Sequence, residues 1–246
     1  MTAEAALRMT FAEHLDELRS RLLRSIAILL AAVVVAMVFY RELVGIVTLP
    51  HFRAMEWCGL TREHARLLSL GYAGPVMGVM KLAFIVAFFI ASPLIARELW
   101  GFVASGLTRD ERRHVVRFAP VSFLLFVLGC VFGYFDLVPF ALYGMARMMP
   151  GEHVQLLFGF ESYLSLFLTF TILLGGIFQL PLVMVFLSTV GLVPPSSWSA
   201  WRRPAIVANL VFAAVISPPD VLSMVVFAVP LLVLYEAGAW VSRLSS

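Results

Sequence analysis

From Ser25 to Phe39 the chain carries no charged residue, and this is the first of several long apolar runs. Runs of that kind constrain the fold more than any motif does. Each must bury its side chains in a core or in lipid, and a single globular core does not absorb so many. Composition agrees: 61% of the residues are hydrophobic and 13% charged, against about 25% charged in an average soluble domain. The expected fold class is therefore all-α, a polytopic membrane protein, and a single integral-membrane domain over 1–246. An arginine-rich leader precedes the first run, as in a signal peptide. No small-x-small cleavage site follows it, and it reads as a retained span.

Six transmembrane helices are expected, at about 22–44, 76–103, 117–143, 163–190, 204–216 and 221–240. The fifth and sixth are short for a crossing that takes about 20 residues, which predicts a tilted pair or a thinned bilayer. Arginines set the orientation. With the N-terminus inside, the inner segments carry Arg8, Arg19, Arg21, Arg24, Arg97, Arg109, Arg112, Arg113, Arg117, Arg202, Arg203 and Arg243. The outer segments carry Arg41, Arg53, Arg62, Arg66, Lys81 and Arg147, a ratio of 12 to 6. Both termini are expected in the cytoplasm. Trp100, Trp198, Trp201 and Trp240 then fall at the inner interface, where indoles anchor.

The net charge of +3 belongs to span ends and predicts no nucleic-acid partner. Gly129-x-x-x-Gly133 and Gly175-Gly176 predict close helix approach. Pro181 and Pro230 interrupt the fourth and sixth helices. The first outer loop, about 45–74, suggests a short helix from Thr61 to Leu70 with Glu63 in a capping box. Cys58 and Cys130 form no disulfide framework.

Two segments concentrate charge beside the spans. His14-Leu15-Asp16-Glu17-Leu18-Arg19-Ser20-Arg21-Leu22 sits at the foot of the first span. Thr10-x-x-Glu13 is a capping box, so a helix begins near Phe11. Phe11, Leu15, Leu18 and Leu22 share one face; Glu13, Glu17, Arg21 and Arg24 share another. Glu17 either pairs with Arg21 at i,i+4, worth about 0.3–0.5 kcal/mol, or is available to an external cation. In the second inner loop Thr108-x-x-Glu111 is again a capping box, with Arg112 and Arg113 as cytoplasmic markers.

Polar groups elsewhere are few. Gln179 lies within a span and needs a hydrogen-bond partner. Asp220 follows Ser217-Pro218-Pro219 as an N-cap of the sixth helix. Asp136 reads as a solvated interface residue. Glu236, about a turn from Trp240, either lines the inner entrance or snorkels. No phosphate-binding lysine loop, no metal-ligand spacing among the histidines and no nucleophile elbow occurs. No cofactor, no metal and no enzyme activity are expected.

These residues together resemble the TatC family, the multi-spanning core subunit of the twin-arginine protein translocase. The resemblance rests on His14-Leu-x-Glu17-Leu-Arg19-x-Arg21-Leu22, on Pro50, and on Trp100-x-Phe102 with Gly106-Leu107 and Glu111-Arg112-Arg113. Tyr134-Phe135, Ser162-Tyr163-Leu164, Pro218-Pro219-Asp220 and Glu236-x-Gly238 continue it in order to about Arg243. It implies export of folded proteins across the bacterial cytoplasmic membrane, driven by the proton-motive force. It implies recognition of paired arginines in a signal peptide by Glu17 and Glu111. Arg19, Arg21, Phe102, Arg112 and Arg113 would frame those acids. It implies single-span TatA- and TatB-type subunits in an oligomeric complex, and roles in partner contact or transport for Gln179, Asp220, Pro50 and Glu236. Gln179 is expected to meet a polar residue of a single-span subunit. Departures are Ser105 for proline, Glu98 for glutamine and Met224 for a polar residue. A small-solute secondary transporter, the alternative, should show repeated halves and a midplane site, and neither is present. A serine–lysine hydrolase built on Lys81 lacks any further support.

Overall fold

A computed structural model of the chain describes residues 11–69, 71–105, 118–148, 157–217 and 221–244. Helix α1 spans Phe11–Val38 and α2 Tyr40–Trp57. Strand β1, Leu67–Leu68, precedes α3, Ala73–Ser105. Helix α4, Phe118–Phe132, passes through a π-helical turn, Gly133–Leu137, into α5, Val138–Arg147. Strand β2, Phe158–Gly159, pairs in parallel with β1 and leads into α6, Phe160–Ile177. Then come α7, Leu180–Thr189, α8, Pro195–Ala200, α9, Arg202–Ile216, and α10, Val221–Leu244. The end at which α1 begins is called the inner end below.

Among the described residues, five stretches are long and apolar enough to cross a membrane: Ala12–Val38, Ala73–Ser105, Phe118–Arg147, Phe160–Thr189 and Met224–Leu244. The expected fifth span is α9, whose 15 residues reach about 22 Å at 1.5 Å per residue. That falls short of a hydrocarbon core of about 30 Å, as its short apolar run predicted.

Two boundaries differ from expectation. The first span ends at Val38, not 44. Phe39 N–H turns back to the Ala36 carbonyl at 3.2 Å, and Arg41 and Glu42 open α2 as the chain leaves the apolar run. The outer-loop helix is α2 itself, not 61–70. Thr61 instead starts a tight turn in which the His64 and Ala65 amides both donate to its carbonyl. Its hydroxyl meets His64 Nδ1 at 2.7 Å and takes no part in a capping box with Glu63.

Small residues set the helix spacing. Ala32 and Ala36 of α1 meet Ala83, Ala87 and Ala91 of α3, a small-residue seam at helical spacing. At Gly129 an added Cβ would lie 2.7 Å from the backbone carbonyl of Leu174, so α4 and α6 touch main chain to main chain there. The larger core joins Leu82, Leu137, Val138, Leu164, Phe167, Phe170 and Phe227 from α3, the π turn, α5, α6 and α10.

Prolines inside helices free carbonyls, and the structure shows where those go. Proline lacks the N–H that would bond the carbonyl four residues back. Pro50 frees the Ile46 carbonyl, and Tyr134 Oη donates to it at 2.6 Å. Pro93 frees Phe89, whose carbonyl takes the Ser92 hydroxyl at 2.6 Å. Pro139 frees Phe135; the helix widens into the π turn, and Arg53 Nη1 donates to the Phe135 carbonyl at 3.4 Å. One residue beyond Ile46, the Val47 carbonyl accepts from buried Tyr163 Oη at 2.5 Å.

This outer knot closes around His51, which is 1% exposed. Its Nε2–H donates to the Ala65 carbonyl at 2.9 Å, and the rings of Phe52, Phe158 and Tyr163 surround it edge-on. Burial holds the imidazole below its ordinary value, against the opposing effect of the Ala65 bond.

The tryptophans divide. Trp201 and Trp240 are exposed as interface anchors should be, but Trp100 and Trp198 are buried in protein. Trp100 packs on Phe118 and Phe186, and Trp198 Nε1 donates to Ser188 Oγ at 2.8 Å. Their contacts are with other helices, so they knit the inner end together.

Candidate functional site

The first turns of α1 are amphipathic in the inverse sense of a soluble helix. Leu15, Leu18 and Leu22 are 48%, 40% and 56% exposed. The polar stripe with Glu17 and Arg21 turns inward against α3. In lipid the apolar face is the solvated one, so the charged face is the one that must find protein partners.

It finds them at the inner end of α3. Arg21 Nε and Nη2 both lie 2.6 Å from Glu17 Oε1. Arg21 Nη1 reaches Glu98 Oε2 at 3.2 Å, and Arg24 Nη1 stands 3.6 Å from the same oxygen. The Arg21 head lies on the backbone of α3 at Gly101, where an added Cβ would collide with Nη1. One turn away, the His14 ring stacks on Phe102 at 4.5 Å with an interplanar angle of 21°. His14 Nδ1 and Trp100 Nε1 are buried without a hydrogen-bond partner among the described residues.

Of the expected site residues, Glu17 and Arg21 pair directly, and Phe102 stacks on His14 one turn of α1 away. Arg19, on the same helix, is exposed. Glu111, Arg112, Arg113 and Asp220 lie outside the described residues. Glu98, a departure from the family's usual glutamine, is the third member of the cluster, and its signal in the sequence is an extra acid near the end of a helix that an arginine-rich helix packs against.

Gln179 finds a hydrogen-bond partner within the chain. Ser122 Oγ of α4 donates to Gln179 Oε1 at 2.7 Å, and Gln179 Nε2 donates to the Ser122 carbonyl at 3.0 Å. Lying at the break between α6 and α7, Gln179 ties that bend to α4, so its need for a partner is met within the chain. Glu236 is half exposed and pairs with Arg202 at 2.6 Å, linking α10 to α9. Pro50 is buried in the outer knot, far along the bundle from Glu17. Asp136 is exposed, as a solvated interface position should be.

A bundle of apolar helices with a half-buried cluster of carboxylates and guanidiniums at one end has close counterparts. Residues 13–230 match the family TatC, Sec-independent protein translocase protein. The chain is 34% identical over 246 residues to Sec-independent protein translocase protein TatCy of Bacillus subtilis, covering 99% of this chain and 92% of that protein. It is 32% identical over 237 residues to the TatC protein of Halalkalibacterium halodurans, covering 96% and 90%. A crystal structure of the twin arginine translocase receptor TatC matches with a TM-score of 0.76 at 30% identity, covering 95% of this chain and 99% of that one.

Fold, site and likeness define a polytopic component of a protein translocase in the bacterial inner membrane, neither an enzyme nor a small-solute transporter. The chain belongs to the TatC family.

Proposed function

We propose that this chain is the signal-peptide receptor and core of a translocase that exports folded proteins under the proton-motive force. Glu17 and Glu111 hold the paired arginines of the signal, with Arg19, Arg21, Arg112, Arg113 and Phe102 framing them. The observation that carries this reading is Arg21 itself. A guanidinium already sits on Glu17 at 2.6 Å, so the local geometry is one that accepts arginine. Charge-assisted, forked bonds of this kind select guanidinium over other cations.

The 12-to-6 arginine bias supports placing both termini in the cytoplasm and the cluster at the cytoplasmic surface. The complex includes single-span TatA- and TatB-type subunits. Asp220 and Glu236 act at the inner entrance in transport. Pro50 acts through the outer knot it anchors. Gln179 enters as the tie that holds the α6–α7 bend.

The test is binding of a twin-arginine signal peptide to the solubilised protein. Glu17→Lys and Glu111→Lys should each weaken it while the protein still inserts. Wild-type affinity in both variants contradicts the reading.

A further inference from the structure

The inner cluster does not close on itself. Glu17 and Glu98 have side-chain exposures of 25% and 16%, and between them stands one guanidinium, Arg21, at 20%. The next cation, Arg24, is 58% exposed and 3.6 Å from Glu98. That is beyond hydrogen-bond range, and its Nη2 bonds Ser20 Oγ instead. Among the described residues, the least exposed part of the cluster thus holds two carboxylates around Arg21, and Arg24 pairs with Glu98 only from the water side, where screening weakens it.

The bonding pattern agrees with this arrangement. Arg21 takes a single oxygen from each acid, Glu17 Oε1 and Glu98 Oε2. Among the described residues, Glu17 Oε2 and Glu98 Oε1 accept no hydrogen bond. Each ionised carboxylate has room for about four. Gly101 supplies the flat floor on which Arg21 rests between them.

We propose that Glu98 is a specificity-determining residue of the arginine-recognition site. With Glu17 it forms a two-carboxylate clamp, templated by Arg21, whose open oxygens take one guanidinium of the incoming pair. This rests on the reading that Glu17 binds the signal.

The clamp distinguishes arginine from lysine. Its acids stand on two helices, and a planar fork spans them, as Arg21 already does. An ammonium is a point charge with no fixed fork to match two carboxylates. Arg24 is the resident competitor, an exposed ion-pair partner of Glu98 at 3.6 Å. Glutamine, usual here in the family the chain resembles, offers an acceptor without the charge. The carboxylate strengthens the selection in this chain.

The experiment measures affinity of a fluorescent Arg-Arg signal peptide and its Lys-Lys counterpart for the full-length protein in detergent. Glu98→Gln should weaken Arg-Arg binding about tenfold, the value of one charge-assisted bond. Lys-Lys binding should change little, so the preference for arginine falls. A merely structural Glu98 would lower stability without moving that ratio. Arg24→Gln, at an exposed side chain, should tighten Arg-Arg binding by about threefold, since exposed pairs are worth under about 1 kcal/mol. Should Glu98→Gln fail to fold, that variant decides alone, and unchanged affinity overturns the proposal. Glu17→Lys separates the two levels. If it loses Arg-Arg binding while Glu98→Gln keeps wild-type affinity and preference, the clamp is overturned and the recognition reading stands. If Glu17→Lys binds as wild type, the recognition reading itself falls.

Discussion

The two ends of this bundle solve the same problem, polar groups at the edge of a membrane, in opposite ways. At the outer end, neutral phenols close the carbonyls around Pro50: Tyr134 on Ile46 and Tyr163 on Val47. Donors and acceptors match one to one, and His51 seals the space between. At the inner end, charged groups meet with oxygens left over, and Glu17, Arg21 and Glu98 all keep partial contact with water. A fully matched neutral network resists exchange, because opening it strands buried polar atoms. A half-exposed ionic cluster exchanges partners at little cost. The difference suits rigidity at one end and the proposed recognition at the other.

The largest expected effect comes from crossing the two readouts. Glu17→Lys should cost on the order of a hundredfold in signal-peptide affinity, from a lost charge-assisted pair plus repulsion. Its cost in stability should be under about 1 kcal/mol, as for a partly exposed i,i+4 pair. Tyr163→Phe should do the reverse. It leaves the Val47 carbonyl unpaired in a buried site, worth about 1–3 kcal/mol, and leaves signal affinity unchanged. Thermal unfolding and peptide binding on both variants check this, and similar losses in both assays from both variants would break the division of labour.

Gln179→Leu is next. It removes both bonds to Ser122 and should destabilise the protein by about 0.6–2 kcal/mol, the range for interhelical hydrogen bonds in membranes. Signal binding should persist. Intact stability with lost crosslinking to single-span subunits would assign Gln179 to partner contact and not to the Ser122 tie.

The smallest effect is on pH. The His51 imidazole is held below its ordinary value by burial. Protons therefore favour the opened outer end. Stability there is full above about 6.5, the unfolded value, and falls away as pH drops through the lower folded value. Hydrogen exchange, corrected for its intrinsic pH dependence, should show amides near Ala65 opening on acidification. Amides around Arg21 should show no matching change from this source.

Much of this was legible in the residues. The Glu17–Arg21 pair and the Gly129 contact both follow from local spacing. The apolar runs followed the five long helices to within a few residues, except at Phe39. There hydropathy carries on past the break, because Leu43 and Val44 are apolar on a different helix. What the sequence could not display were partnerships across the bundle. Glu98 meets Arg21 from 77 residues away, and Ser122 meets Gln179 from 57 away. No periodicity reveals which helices face each other. The phenol–carbonyl pairs sit between: Pro50 announces a free carbonyl at Ile46, but only the fold says that Tyr134 reaches it. The inverted amphipathicity of α1 follows from lipid as solvent, once the membrane reading is taken seriously.

The central claim is that the inner cluster, and not the outer knot, receives the arginine pair. A photoreactive side chain at exposed position 16, beside Glu17, compared with one at 134, tests it most directly in membranes with a labelled twin-arginine signal peptide. The account predicts crosslinking at 16, competed by unlabelled Arg-Arg peptide but not by Lys-Lys peptide, and none at 134. Crosslinking at 134, or equal competition by both peptides at 16, would contradict it.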